Sequence, residues 1–447
     1  MKDQIKTIEL RAAWGRALLL VPVALAAAGV WYGVRWCVGN TMAEWLPDIN
    51  AAYAAARLAP NDPQTHFTIA RLRERSFQPE DLPEAAAHYE EAARLSPHDF
   101  RLFMELGRVR GLIGDVQGSE EALRRAVELA PTYPDPRWYL GNSLLRQGRT
   151  EEAFAELRRA GEASPEKFLP QVIELSWRFY DADVPSVLGV VGNSARARKQ
   201  LMEYLINLKQ LDEARQLWEG FDAEQRRLSY ETGEKLLLHL LEAKRFHDVL
   251  AMHRELYAAT GTPTEAAPER FTNGGFESAV GAPGKSPFEW QVVPLAGAEM
   301  GLDPRVRQES TRSLRIAFNA TDTISFRNIS QLVTVAPATR YRLEYYVRTE
   351  DLKGTATLST EVVDAAQPGS VLAASPPLST GTADWQRVAL DFTTGAATRG
   401  VTLRIVSPQC PAATCPIFGK VWYDNFNLQR LGGGGVNTNG RQNAGRT

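Results

Sequence analysis

Residues 341–348 alternate between apolar and polar side chains, and the polar set has the chemistry to bind a sugar. In an extended strand, residues two positions apart share a face. One face then carries four polar side chains: Arg342, Glu344, Tyr346 and Arg348. The C–H face of a sugar stacks on an aromatic ring, while its hydroxyl groups need charged donors and acceptors. We take these residues as candidate glycan-binding residues, with two arginines from other predicted strands as further candidates: Arg315 and Arg404. The alternative is a solvated face crossed by Arg–Glu pairs.

The short motifs that mark many active sites do not occur in this sequence. There is no nucleophile elbow, phosphate-binding loop, His-Glu-x-x-His pair or dinucleotide fingerprint. His247 and His253 share a predicted helix but are six positions apart, so they lie on different faces. Paired carboxylates for sugar hydrolysis need not be neighbours in the chain, so a hydrolase stays open as a third interpretation. Since no segment of the size of a glycosidase domain is left unassigned, we predict a non-catalytic protein.

The three cysteines divide into a close pair and a single residue. Cys410 and Cys415 lie in a loop-like segment, and in an oxidising compartment they would form a disulfide. The alternative is two free thiols in a cytoplasmic protein. A metal site would need further Cys or His ligands nearby, and the sequence has none there. Cys37, at the edge of an apolar run, is expected to be a small apolar filler.

The candidate sugar-binding residues belong to a region of short predicted strands that begins after Phe271. These strands are rich in β-branched and aromatic residues and are expected at 313–318, 330–335, 341–348, 356–362, 385–392 and 401–406. Separation by Gly, Pro, Asp and Thr turns predicts an antiparallel β-sandwich over residues 269–431. Residues 432–447 are rich in Gly and Asn, and we predict a disordered tail there.

The region before the strands contains an internal repeat. Four prolines, at positions 60, 97, 131 and 165, recur every 34–37 residues, and each closes an Ala-rich amphipathic helix. In the clearest repeat, residues 134–167, the small residues Gly141 and Ala153 would let two helices approach closely. This pattern resembles the tetratricopeptide repeat, strongly for residues 63–165 and weakly beyond. The resemblance implies an α-solenoid of helical hairpins over residues 45–259 that binds a protein partner, followed by a linker at 260–268.

The sandwich region opens with Asn273-Gly274-Gly275-Phe276-Glu277 and closes with Val421-Trp422-Tyr423-Asp424-Asn425-Phe426. These motifs resemble those of carbohydrate-binding module families 4 and 9. The resemblance implies a jelly roll with a galactose-binding-like fold, and a structural calcium ion with Glu277 and Asp424 as its carboxylate ligands. The alternative is that both carboxylates only accept hydrogen bonds from neighbouring backbone N–H groups.

The N-terminal region contains an apolar run, residues 17–34, that lies between Arg16 and Arg35 and is long enough to cross a bilayer. We predict a transmembrane anchor over 17–36. Positive charge is concentrated before the run, so residues 1–16 are expected in the cytoplasm and the bulk of the chain outside it, in the periplasm of a cell with an inner membrane. The alternative is a signal peptide cleaved after Ala26-Ala27-Ala28.

Length and composition agree with a multidomain α plus β protein. The chain has 447 residues, 44% hydrophobic and 23% charged, and a net charge of −2. The sequence has no stripe of basic residues, so it gives no indication of nucleic-acid binding. Two functions from different classes follow. Either the helical array binds a protein while the sandwich binds a polysaccharide or oligosaccharide, in polysaccharide assembly or export, or the protein is a pure interaction scaffold whose jelly roll binds no sugar.

Overall fold

In the computed structural model the chain divides into two units, Met1–Tyr204 and Leu205–Thr447. The structure describes residues 13–45, 48–262, 264–280, 286–320, 325–410 and 415–431. The predicted tail at 432–447 and most of the predicted cytoplasmic segment, residues 1–12, lie outside the described residues. As the sequence predicts, helical hairpins precede an antiparallel sandwich of two sheets.

The first unit is built from helices that pair in sequence order. Their bounds are α1 Ala13–Trp45, α2 Ile49–Leu58, α3 Pro63–Glu74, α4 Leu82–Leu95, α5 Phe100–Leu112, α6 Val116–Leu129, α7 Pro134–Arg146, α8 Thr150–Ala163, α9 Leu169–Phe179, α10 Val184–Val191 and α11 Ala195–Asn207, the last of which runs into the second unit. Aspartates begin several of these helices. The side chain of Asp99, for example, accepts a hydrogen bond from the backbone N–H of Arg101 at the start of α5. Proline follows the last residue of a hairpin, as at Pro131, because it cannot continue a helix.

Glycine sets the spacing within the hairpins. A Cβ atom at Gly141 would lie 2.6 Å from Cγ of Leu157 and 3.0 Å from the carbonyl oxygen of Ala153, so only glycine allows α7 and α8 to pack this closely. Gly107 has the same role between α5 and α6, where a Cβ atom would lie 2.6 Å from Cγ of Leu123. This is the close approach that the repeat pattern predicts.

Helix α1 continues without a break from the apolar run into the first hairpin. Its side chains from Leu20 to Val34 are exposed, whereas Ala43 is buried, and a Cβ atom at Gly39 would lie 2.8 Å from Cβ of Ala59 at the end of α2. Residues Leu20–Trp45 are long and apolar enough to cross a membrane, a property that a signal sequence shares. The end of the helix is therefore packed as part of the helical array.

The second unit begins with helices that follow the divergent repeats: α12 Leu211–Glu219, α13 Ala223–Leu228, α14 Tyr230–Glu242 and α15 Phe246–Thr260. The turn before α15 repeats the turn before α8. In both, a residue with positive φ, Gly148 at 74° and Lys244 at 60°, separates the two helices. These helices share a unit with the sandwich, so the division between units does not coincide with the predicted linker at 260–268. Ala266, inside that predicted linker, is buried.

The sandwich consists of two antiparallel sheets. The strands are β1 Gln291–Val292, β2 Ala298–Asp303, β3 Ser313–Ala320, β4 Ile329–Thr334, β5 Arg340–Gly354, β6 Ser359–Asp364, β7 Gln367–Ala374, β8 Gly381–Thr393, β9 Gly400–Val406 and β10 Ile417–Arg430. The first sheet has the order β1-β4-β9-β6-β7 and the second sheet the order β2-β3-β10-β5-β8. Alternate residues of both sheets fill the core between them, among them Ile329, Tyr345 and Leu403.

Helices α14 and α15 lie against the outer side of the first sheet. The ring of Phe246 packs on Gly400 of β9, where a Cβ atom would lie 2.7 Å from Cδ2 of that ring. Nζ of Lys244 donates to the carbonyl oxygen of Ala366, 2.6 Å away. The start of α15 therefore packs on part of the first sheet, whose edge strand β7 stays largely exposed, and these contacts leave the outer side of the second sheet free of helices.

Candidate functional site

The four candidate residues of β5 lie on the outer side of the second sheet. Tyr341, Leu343, Tyr345 and Val347 are buried in the core between the sheets, so the residues that alternate with them point outward: Arg342, Glu344, Tyr346 and Arg348. β10 flanks this strand on one side and β8 on the other. In register, Tyr346 stands between Asp424 of β10 and Arg387 of β8. This arrangement is the polar face that the alternation predicts.

Each charged candidate on β5 has a partner of opposite charge on β8. Nε of Arg342 lies 2.6 Å from Oδ1 of Asp391, and this contact lowers the pKa of the Asp391 carboxyl. Arg387 donates to Glu344. Nη1 of Arg348 lies 3.2 Å from Oδ1 of Asp384. Charged cross-strand pairs are what the solvated-face alternative predicts, and among the four candidates of β5 they leave Tyr346 as the uncharged side chain.

Trp422 of β10 lies beneath the polar face, although the alternation of β5 alone does not single it out. It is only 2% exposed, and its Nε1 donates to Oδ2 of Asp303 at 3.0 Å. Its cross-strand neighbours are Arg348 and Arg315, and the guanidinium carbon of Arg348 lies 6.0 Å from the indole centroid. An aromatic ring therefore forms the floor of the face, covered by a cation.

The two further arginines fall on different sheets. Arg315 of β3 shares the outer side of the second sheet, and its Nη2 lies 2.7 Å from Oε1 of Glu299. Arg404 does not join this face. It belongs to β9 of the first sheet and bonds Glu361 of β6, with 2.7 Å between Nε and Oε2. The core separates the two sheets, so the prediction that Arg404 shares a face with Arg342 is wrong: the two side chains lie on different sheets.

The carboxylates of Glu277 and Asp424 brace one loop, residues 308–312. Asp424 is fully buried and accepts hydrogen bonds from the backbone N–H of Gln308, the hydroxyl of Ser310 and the backbone N–H of Asn425 at 3.1, 2.7 and 2.8 Å. Burial, the largest influence, raises its pKa. Glu277 accepts from the backbone N–H and hydroxyl of Thr311, and the hydroxyl lowers the pKa of Glu277.

This geometry is that of the hydrogen-bonded alternative to a calcium site. The N–H and O–H donors point at the oxygen atoms with which a cation would have to bond. Within the described ranges, no cluster of three or more His, Cys, Asp or Glu side chains is arranged to hold a metal ion. Because protein donors already bond these carboxylate oxygens, the arrangement favours the hydrogen-bonded alternative over the calcium site that the resemblance implies.

Cys410 and Cys415 form a disulfide, with their Cα atoms 5.8 Å apart. Cys415 is buried at the start of the segment that leads into β10, and residues 411–414 between the two lie outside the described part of the chain. Cys37 is a free, exposed cysteine on α1.

In the helical unit, the first helices of successive hairpins share a surface. Arg108 of α5 donates to Glu74 of α3 across the gap between two hairpins. Phe67, Met104 and Trp138 occupy equivalent repeat positions on α3, α5 and α7, and all three are half-buried. This surface, here called the inner helix surface, offers apolar side chains beside charged ones, which suits an extended or helical peptide.

The family comparison agrees with this architecture. The profile of the tetratricopeptide repeat family matches residues 78–134 and 113–167. Residues 78–167 therefore carry tetratricopeptide repeats, a repeat type that typically serves as a scaffold for protein interactions, and no catalytic family is indicated. A comparison with curated protein sequences found no match.

Several solved structures are similar to parts of this chain. MamA residues 41 to the end from Desulfovibrio magneticus RS-1 is 17% identical, covers 38% of this chain and 94% of its own, and has a TM-score of 0.31. YrrB, described as a tetratricopeptide protein with an unusual peptide-binding site, is 17% identical over 48% of this chain and 94% of its own, with a TM-score of 0.25. A CBM4 structure is 14% identical over 36% of this chain and 99% of its own, with a TM-score of 0.28. TM-scores this low support no transfer of function.

Proposed function

We propose that this protein is a membrane-anchored, non-catalytic scaffold that binds a protein on the inner helix surface and a glycan on the outer side of the second sheet. The polysaccharide or oligosaccharide would be held outside the cytoplasm, in an assembly or export system. This proposal combines the interaction role of the repeats with the chemistry of the polar face on β5.

One observation carries the glycan part of the proposal. Helix α15 packs on part of the first sheet, whereas the face with Arg342, Glu344, Tyr346 and Arg348 lies on the other sheet, away from that helix. Half-buried side chains fixed by cross-strand pairs form a pre-ordered surface, which lowers the entropic cost of binding a polar ligand. Tyr346 supplies the ring on which a sugar would stack.

The second candidate function is the pure interaction scaffold, and a specific observation favours it. The pairs of Arg342 with Asp391, Glu344 with Arg387 and Arg348 with Asp384 already use the hydrogen-bonding groups that a sugar would need. A ligand would have to compete with them. In this function the face is a charged, solvated surface, and the repeats alone carry the activity.

The membrane part of the proposal is supported by α1. Its apolar residues from Leu20 onward are exposed, and the basic residues that precede them favour a cytoplasmic N-terminus. The helix would then hold both binding surfaces on the extracytoplasmic side of an inner membrane. A cleaved signal peptide would release them instead, and N-terminal sequencing of the mature protein separates the two cases.

A glycan array with the full chain in nanodiscs tests the function. We expect binding that is lost in Tyr346→Ala and retained in Tyr133→Ala, a matched change at an exposed position of the helical unit. Loss of one aromatic stacking contact costs about 1 kcal/mol or more, which is about a fivefold loss of affinity. Absence of binding by a folded chain would make the pure scaffold the function.

A further inference from the structure

A cavity of about 730 Å³ lies between helices α14 and α15 and the outer side of the first sheet. Leu237, Leu241, Leu256 and Tyr257 of the helices form one wall. The opposite wall belongs to the sandwich and includes Leu332. Both walls belong to the second unit. The size falls in the range of pockets that bind small ligands, about 300–1,000 Å³.

The walls of this cavity are fixed relative to each other. Phe246 packs on Gly400, Lys244 donates to the carbonyl oxygen of Ala366, and Nε2 of His247 lies 3.3 Å from the carbonyl oxygen of Val335. These contacts join the start of α15 to three places in the sandwich. The cavity is therefore bounded by docked elements and is a preformed space.

His253 of α15 lines the cavity and lacks partners. It is only 3% exposed, and within the part of the chain that the structure describes neither ring nitrogen has a hydrogen-bond partner. Its neighbours are the rings of Tyr257 and Phe288, at centroid distances of 4.3 and 5.5 Å. A buried polar group without a partner is costly, so an observed one calls for a ligand or another explanation.

The environment keeps this imidazole uncharged. Burial lowers the pKa of His253 to about 4, so near neutral pH the ring is a neutral donor and acceptor. The charged groups around the cavity are Glu234, Glu242 and Lys244, and Lys244 already donates to Ala366. The net charge at the rim is negative, which repels anions, and among the described residues no carboxylate hydrogen-bonds His253 to favour a cation there.

We propose that this cavity binds an uncharged single-chain lipid that carries a hydroxyl group. The hydroxyl would bond one ring nitrogen of His253, and the alkyl chain would lie against Leu237, Leu241 and Leu256. A neutral hydroxyl can accept from the protonated nitrogen or donate to the bare one, and it brings no charge into the apolar space. This site is separate from the polar face on β5, which lies on the other sheet.

Photo-cross-linking tests the proposal on the full chain in phospholipid nanodiscs. The probe is dodecanol with a diazirine in its chain, and the matching dodecanoate is the anionic comparison. Mass spectrometry would map the adducts. We expect saturable labelling of α14, α15 and β4 by the alcohol and weaker labelling by the carboxylate.

Matched variants locate the site. In Leu237→Trp the new ring fills the cavity, and labelling of these three elements should fall to background. Leu228→Trp, at an exposed leucine that does not line the cavity, should leave labelling unchanged. His253→Phe should raise the half-saturating concentration of the alcohol about tenfold, the effect of one lost hydrogen bond, whereas His253→Gln keeps a donor and an acceptor and should retain binding.

Three results would overturn the proposal: equal labelling of the folded wild-type and Leu237→Trp chains, equal saturation by dodecanol and dodecanoate, or no difference between His253→Phe and His253→Gln. Circular dichroism melting of each variant establishes that it is folded. Because the glycan face is not altered in any of these variants, their glycan-array signals should match the wild type.

Discussion

Arg348 lies over the indole ring of Trp422, with its guanidinium carbon 6.0 Å from the ring centroid. The cation closes the outer side of a ring whose N–H group is bound to Asp303. Trp422 is thus held on both its edge and its face, and it acts as a rigid floor for the polar face.

The bond between Trp422 and Asp303 predicts a pH-dependent loss of stability in Trp422→Phe. Burial opposes ionisation of Asp303, but the hydrogen bonds from Trp422 and from the backbone N–H groups of Arg305 and Val306 outweigh it, so the pKa of Asp303 lies below its ordinary value of 3.8. We expect a loss of about 2 kcal/mol in the free energy of unfolding, from a lost hydrogen bond to a charged acceptor.

The sign of the pH dependence follows from the lowered pKa. The stabilisation by ionised Asp303 is fully present above pH 3.8 and is lost as the pH falls through the lower folded-state pKa. The difference between wild type and Trp422→Phe should therefore be constant near neutral pH and shrink in acid. Urea unfolding between neutral and acidic pH measures it. Trp385→Phe, at a half-buried position of β8, should show a difference that does not vary with pH. A constant difference in both variants would contradict the role of Asp303.

The tight hairpin at Gly141 predicts opposite effects of two Gly→Ala changes. Gly141→Ala would place a Cβ atom 2.6 Å from Cγ of Leu157 and should destabilise the protein by about 1–3 kcal/mol. Gly189→Ala, in helix α10 with no atom near the new Cβ, should stabilise it by about 0.5–1 kcal/mol because alanine is the better helix former. Thermal melting followed by far-UV circular dichroism would compare them, and equal shifts would contradict the packing described for α7 and α8.

Lys209 adopts the backbone conformation that Gly148 adopts in the matching turn. Its φ is 59°, and its N–H donates to the carbonyl oxygen of Ile206 at 2.9 Å. We expect Lys209→Gly to stabilise the protein by about 1 kcal/mol, because the left-handed conformation strains a residue with a Cβ atom. Lys199→Gly, inside helix α11, is the control and should cost about 1 kcal/mol. A lower melting temperature in Lys209→Gly would contradict the left-handed conformation described for Lys209.

The hydrogen bonds of Asp424 predict that calcium does not stabilise the sandwich. Its hydrogen-bond partners in the described part of the chain are donors from residues 308, 310 and 425, and Glu277 holds the same loop through Thr311. We expect the same melting temperature in calcium and in EDTA, and no heat of binding when calcium is titrated into the metal-free chain. A calcium-dependent rise in melting temperature that disappears in Glu277→Gln would show that the resemblance to the carbohydrate-binding modules extends to their metal.

Much of the architecture could be predicted because it rests on local signals. The proline spacing and Gly141 indicate the hairpins, and the alternation at 341–348 indicates β5 and its two faces. The strands β1, β2, β7 and β10 are not among the predicted strands, and β10 enters the sequence analysis only through the closing motif at 421–426. β2 and β7 lie at sheet edges, where one side of the backbone is unpaired and burial is slight, so Ala298–Asp303 and Gln367–Ala374 do not alternate clearly.

The parts that could not be predicted depend on long-range packing. The position of β9 between β4 and β6 sends Arg404 to the first sheet, and no local pattern encodes that order. The same is true of α15, which meets Gly400 of β9, some 150 residues later in the chain. The cavity lined by His253 forms only when these distant segments pack together, so no local sequence motif indicates its position.

The unbroken course of α1 bears on how the repeats would be presented at a membrane. A helix of 33 residues spans about 50 Å at 1.5 Å per residue, and Gly39 and Ala43 lock its far end to α2. Because the helix is continuous from this candidate membrane span to the first hairpin, tilting or rotating it in a bilayer would turn the first hairpins with it. The helix would then both attach the protein to the membrane and determine the orientation in which the helical unit meets a partner.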